Sequence, residues 1–144
     1  DEIIFIENSF PNKTIKYSDL DLNKYYDKNI LIIDNIGMLS SIYRYGNIAY
    51  IGGGFEGTLH NSLEAAIWDL PILYGKHKNN KKFYEINNME KLKLSFPINS
   101  TLEYEKKIKE LFLNKKNTFG TKKYVLNNVG ATKIIYKSLI KLIK

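Results

Sequence analysis

The sequence contains no cysteine. Disulfides, thiolate metal sites and a cysteine nucleophile are therefore excluded, and the absence suits a reducing compartment. Histidine is nearly missing too. Only His60 and His77 occur, so no metal site is expected. No apolar run approaches the roughly 20 residues that span a bilayer. No signal-peptide pattern follows Asp1, and without an initiator methionine a fragment or a processed chain is expected. Internal repeats and low-complexity linkers are absent as well.

What is present can fill a core. The 144 residues suit one domain, or one lobe of a larger protein. Apolar residues make up 44% and aromatics 13%, which argues against disorder. Lys and Arg number 22 against 15 Asp and Glu, a net charge of +7. Such a charge favours phosphates, nucleic acid or an acidic membrane surface as partners. A solvated lysine-rich surface explains it more simply, because the lysines are spread along the chain.

The apolar pattern alternates between two kinds. Short β-branched or aromatic runs predict strands at residues 13–17, 30–33, 48–51 and 72–74, with a weaker one near 94–98. Helical spacing fills residues 36–45, with Leu39, Ile42 and Tyr43 inward, and residues 61–68 and 82–92. It recurs at 103–113, with Ile108, Leu111 and Phe112 on one face. It recurs again at 131–142, where Ala131, Ile135, Leu139 and Leu142 form a stripe opposite lysines. The opening run DEIIFIENSF fits either a strand or a helix face. Alternating strands and helices predict an α/β fold, a Rossmann-like parallel sheet with helices on both faces. Ligands of such sheets bind at the carboxyl ends of the strands. That directs attention to the loops after Ile33, Ile51 and Tyr74.

The loop after Ile51 is the most informative. Gly52, Gly53 and Gly54 remove side chains where a strand ends, allowing a tight turn or close approach to a ligand. Three consecutive glycines exceed what a turn needs, which favours the ligand. Gly52, Gly54 and Gly57 also spell G-x-G-x-x-G. A dinucleotide fingerprint expects a carboxylate about 20 residues later, on the next strand. That strand ends in Tyr74-Gly75-Lys76-His77-Lys78, without one. The Walker pattern fails too, for no Gly-Lys-Ser/Thr follows.

Asn61 and Glu64 stand at capping-box spacing. A carboxylate there is also placed to accept two sugar hydroxyls. His60 reads as a phosphate donor or as an ordinary loop residue. Asp34, before Asn35 and Gly37, reads either as a helix cap or as part of the ligand crevice. Lys76, His77, Lys78, Lys81 and Lys82 read as a solvated run, or as positive potential beside the glycine loop.

Together, the stretch ILIIDNIGMLSSIYRYGNIAYIGGGFEGTLHNSLEAAIWDLPILYGKH resembles the C-terminal, donor-binding half of the Kdo (3-deoxy-D-manno-octulosonic acid) transferases. The shared pattern is Asp-x-x-Gly, Gly-Gly-Gly, His-Asn-x-Leu-Glu-x-Ala and Pro-Ile-Leu-x-Gly, in that order from Asp34 to Gly75. The resemblance implies a GT-B glycosyltransferase of two Rossmann-like lobes, of which residues 1–144 form part of the C-terminal one. It implies transfer of Kdo from CMP-Kdo to a lipid A precursor in lipopolysaccharide biosynthesis, at the cytoplasmic face of the bacterial inner membrane. No metal and no cofactor are implied. Gly52, Gly53, Gly54, His60 and Asn61 would face the nucleotide phosphate. Glu64 would hold the ribose. Asp34, Asn35 and Gly37 would line the same cleft. The general base, the acceptor contacts and the membrane contacts are expected in an N-terminal lobe absent from this chain. The resemblance also places residues 1–10 on a helix.

There are departures. Met38 stands where many relatives have Glu, Lys76 replaces a common Pro, and about two extra residues precede Phe83. Two alternatives remain. One is another GT-B transferase or an epimerase acting on a different sugar nucleotide. The other is a basic module stacking nucleic acid on its tyrosines, disfavoured because the tyrosines fall within strand and helix patterns. Nucleic acid is therefore not an expected partner.

Overall fold

The computed structural model describes residues 2–21, 27–113 and 118–143. The chain forms two compact units, Asp1–Ile42 and Tyr43–Lys144. Among the described residues all strand pairs are parallel, as the alternating pattern predicts.

The first unit opens with helix α1, Glu2–Ser9. Periodicity left this run open, and the helix agrees with the family resemblance; Asp1 lies outside the described residues. No side chain of α1 is buried. Strands β1, Thr14–Lys16, and β2, Ile30–Ile32, pair in register Thr14 to Ile30. The helix expected over residues 36–45 is shorter. Helix α2 is one turn, Leu39–Ile42, followed by a 3₁₀ turn, Tyr43–Tyr45. Ile36 and Leu39 are exposed, so Leu39 does not face inward as expected. Gly37, at φ +97°, is in the left-handed region and does not continue a helix.

The second unit holds a three-stranded sheet, β3 (Ala49–Ile51), β4 (Ile72–Gly75) and β5 (Ser95–Ile98), in that order. β4 is central and fully buried, which its unbroken apolar run requires. β5 carries Pro97, tolerable because the strand lies at the edge of this sheet. Alternation divides the side chains between two faces. Ala49, Ile51, Ile72 and Tyr74 pack with Ala65 and Ala66 of α3 (Leu63–Ala66) and Ile86 and Met89 of α4 (Tyr84–Lys91). On the other face, Tyr50 meets Tyr104 of α5 (Thr101–Leu113) edge to face at 5.8 Å. Helices thus cover both faces, as predicted. On α5, Phe112 is exposed and does not join the expected inward face.

One helix escaped the sequence reading: α6, Thr121–Asn127. Its Tyr124 and Val125 pack against the core, and Thr121 is fully buried. Asp69, which ends the α3 turn at φ +63°, fixes the start of α6. Its carboxylate accepts from the N–H groups of Phe119 and Gly120 at 2.7 Å and of Lys122 at 3.1 Å. Helix α7, Ala131–Ile143, is amphipathic as predicted, but its apolar stripe is exposed. Among the described residues, no helix is long and apolar enough to cross a membrane.

Candidate functional site

The glycine loop leaves the carboxyl end of β3, the edge at which open parallel sheets place ligands. Its backbone curls on itself. Gly53 accepts from the N–H groups of Glu56 and Thr58, and Gly52 accepts from that of His60 at 3.1 Å.

The glycines have different steric reasons. A Cβ on Gly54 would lie 2.5 Å from the backbone of Gly75, so loop and β4 pack backbone on backbone. Gly53 has φ +74°, and its Cβ would meet the carbonyl of Thr58 at 2.4 Å. The loop's own packing therefore demands these two, so ligand approach is not needed to explain them. Gly52 differs. A Cβ there would meet only the His60 ring, at an ordinary 3.6 Å. Gly52 is the position where the fold itself leaves the choice of glycine unexplained.

A buried amide locks this arrangement. Asn80 Nδ2 donates to the carbonyls of Gly75 at 2.8 Å and Gly54 at 3.1 Å. Asn80 was not among the expected site residues. Its signal in the sequence, the second of two asparagines within a lysine run, is indistinguishable from that of a solvated residue.

Past the glycines stand the exposed His60 and Asn61. Asn61 Oδ1 accepts from the Leu63 N–H at 3.0 Å, and Asn61 Nδ2 donates to Glu64 Oε1 at 2.9 Å. This modifies the capping box: the Glu64 carboxylate meets the side-chain amide of Asn61. The helix it opens is one turn rather than the eight residues expected from positions 61–68. Glu64 is half-buried. Burial, and secondarily the Glu64 charge, push the Tyr43 phenol above its usual pKa. Gly52, Gly53, Gly54, His60, Asn61 and Glu64 thus lie on one continuous segment at one strand end.

Asp34, Asn35 and Gly37 form a loop of the first unit. Asp34 accepts from the Ser18 hydroxyl at 2.5 Å and the Ser18 N–H at 3.0 Å. These bonds, the hydroxyl's foremost, hold its carboxyl below the usual range. α2 begins at Leu39, too far along for Asp34 to be its N-cap. Asn35 donates to Met38 Sδ at 2.9 Å.

No protein-family model matches the chain. It is 34% identical over 93 residues to a 3-deoxy-D-manno-octulosonic acid transferase of Aquifex aeolicus, covering 61% of this chain and 25% of that protein. It is 34% identical over 50 residues to the transferase of the same name from Chlamydia pneumoniae, covering 33% of this chain and 11% of that one. A bifunctional glycosyltransferase/methyltransferase of Fusobacterium nucleatum is 31% identical over 106 residues, 72% of this chain and 16% of that protein. The chain therefore spans a quarter or less of the curated relatives it matches. Among solved structures, the C-terminal CMP-Kdo binding domain of WaaA from Acinetobacter baumannii superimposes with a TM-score of 0.54 at 17% identity. That likeness covers 78% of this chain and 57% of that one, and it shows a shared fold. The chain is thus similar in sequence to part of the Kdo transferases, and in fold to a C-terminal domain.

Proposed function

We propose that this chain is part of the donor-binding lobe of a GT-B glycosyltransferase that moves Kdo from CMP-Kdo to a lipid A precursor. The observation that carries the proposal is the ordered segment at the end of β3: an uncrowded Gly52, then His60 and Asn61, then a Glu64 carboxylate oriented by Asn61 at 2.9 Å. The 34% identity to the Aquifex aeolicus transferase supports the same donor.

In this reading the nucleotide phosphate lies against Gly52 and the His60–Asn61 turn. Glu64 accepts hydrogen bonds from the ribose hydroxyls, which an ionised carboxylate with two oxygens does well. Fixed N–H groups stabilise the charge of the departing CMP, without a metal. The acceptor lobe, the general base and contact with the cytoplasmic face of the inner membrane are assigned to protein outside this chain.

A second reading is favoured by the Fusobacterium nucleatum match, which covers the larger share of the chain. The same glycine loop and carboxylate would serve a glycosyltransferase with a different sugar nucleotide. A donor screen on the full-length protein decides between them. CMP and CMP-Kdo are expected to bind in preference to UDP- and GDP-sugars. Preference for another nucleotide would replace the Kdo assignment with the second reading.

A further inference from the structure

Beside the glycine loop runs a groove of about 590 Å³ that the donor reading does not use. Its volume lies within the range of small-molecule sites. Four lysines line it: Lys76, Lys78, Lys81 and Lys91. Glu90 is the one acidic residue among the lining side chains, and it accepts the Tyr74 hydroxyl at 2.7 Å. The balance of charge in the groove is strongly positive.

The backbone carrying these lysines is held firmly. Lys78 and Lys81 lie on a 3₁₀ turn, Lys78–Lys82. Its start is tied down by Asn79 N–H donating to His77 Nδ1 at 3.2 Å. Its middle is pinned by the Asn80 bonds to Gly54 and Gly75. Its end is held by Asn87 Nδ2, which donates to the carbonyls of Asn80 at 3.2 Å and Lys81 at 3.1 Å. Lys76 is anchored by its N–H to the Ile98 carbonyl at 2.9 Å. The fixed backbone sets where each lysine stem starts, which removes the backbone part of the ordering cost of binding an anion.

We propose that this groove is a second anion site, separate from the donor site, that binds a phosphate monoester. Lysine ammonium groups are point-charge partners for such a dianion. The phosphate comes either from a soluble sugar phosphate or from a lipid-borne headgroup.

The test uses the full-length protein, glucose 1-phosphate as the soluble probe, and phosphatidylcholine vesicles containing phosphatidic acid as the lipid probe. The Lys78→Gln/Lys81→Gln variant is compared with a control pair on α5, Lys106→Gln/Lys109→Gln, which carries the same charge change outside the groove. Circular dichroism confirms that both variants fold. Saturable binding of either probe, weakened roughly tenfold or more by the groove pair alone, is expected, and the probe that binds identifies the source. Affinity for CMP-Kdo, whose phosphate is a diester, should remain within about twofold in the groove variant. No saturable binding of either probe would overturn the proposal, as would equal weakening by the control pair. A parallel loss of CMP-Kdo affinity would show that the groove is not a separate site.

Discussion

The side-chain amide of Asn61 donates to the carboxylate of Glu64 at 2.9 Å, while the same amide's oxygen accepts the Leu63 N–H. One residue thus caps the helical turn and orients the carboxylate. Asn61→Ala removes both functions. It should cost about 1 kcal/mol of stability, as cap losses typically do, and also weaken CMP binding. Urea unfolding and CMP titration of the same variant measure the two effects separately.

The glycine loop supplies a second prediction. Gly54→Ala drives a Cβ into the Gly75 backbone and should destabilise by about 1–3 kcal/mol. Gly52→Ala meets only the His60 ring and should leave stability within about 0.5 kcal/mol of wild type. If a phosphate lies against Gly52, that stable variant should still lose CMP affinity. Normal CMP binding by Gly52→Ala would remove Gly52 from the site.

Asp69 gives a pH-dependent prediction. Burial opposes its ionisation, but hydrogen bonds from Lys122, Gly120, Phe119 and Thr121 outweigh it and hold the carboxyl below the usual value. A depressed folded pKa stabilises the protein above the unfolded pKa of about 4. That contribution is lost as pH falls through the lower folded value. Asp69→Ala should therefore cost about 1–3 kcal/mol near neutral pH, by stranding the N–H groups at the start of α6. The gap from wild type should narrow as pH falls below about 4. Chemical unfolding at several pH values checks this, and a gap that does not vary with pH would refute it.

How much of this was legible in the sequence follows from how local each signal is. The five strands lay in short β-branched or aromatic runs, and the structure places strands in all five. Helix α6 was missed because TKKYVLN offers only Tyr124, Val125 and Leu126 as apolar signal. Its start is set by Asp69, about fifty residues earlier, a cap that no local pattern reveals. The expected helices near residues 36–45 and 61–68 shrank to single turns. Gly37 breaks one, and the left-handed Asp69 closes the other. The His60, Asn61 and Glu64 cluster was legible as motif and spacing. The reasons for Gly53 and Gly54 were not, because they depend on contacts with Thr58 and Gly75 that exist only once the loop has folded. Asn80 was hidden for the same reason.

The central claim is that Glu64 holds a cytidine nucleotide rather than merely closing a helical turn. Calorimetric titration of CMP into the full-length protein and its Glu64→Ala variant tests it most directly, with thermal unfolding of both run alongside. Wild type should bind CMP saturably and in preference to NAD. The variant should bind it roughly tenfold or more weakly, with a stability loss of no more than about 1 kcal/mol. Unchanged CMP affinity in Glu64→Ala, or a wild-type protein that ignores CMP or binds NAD as well, would contradict the account.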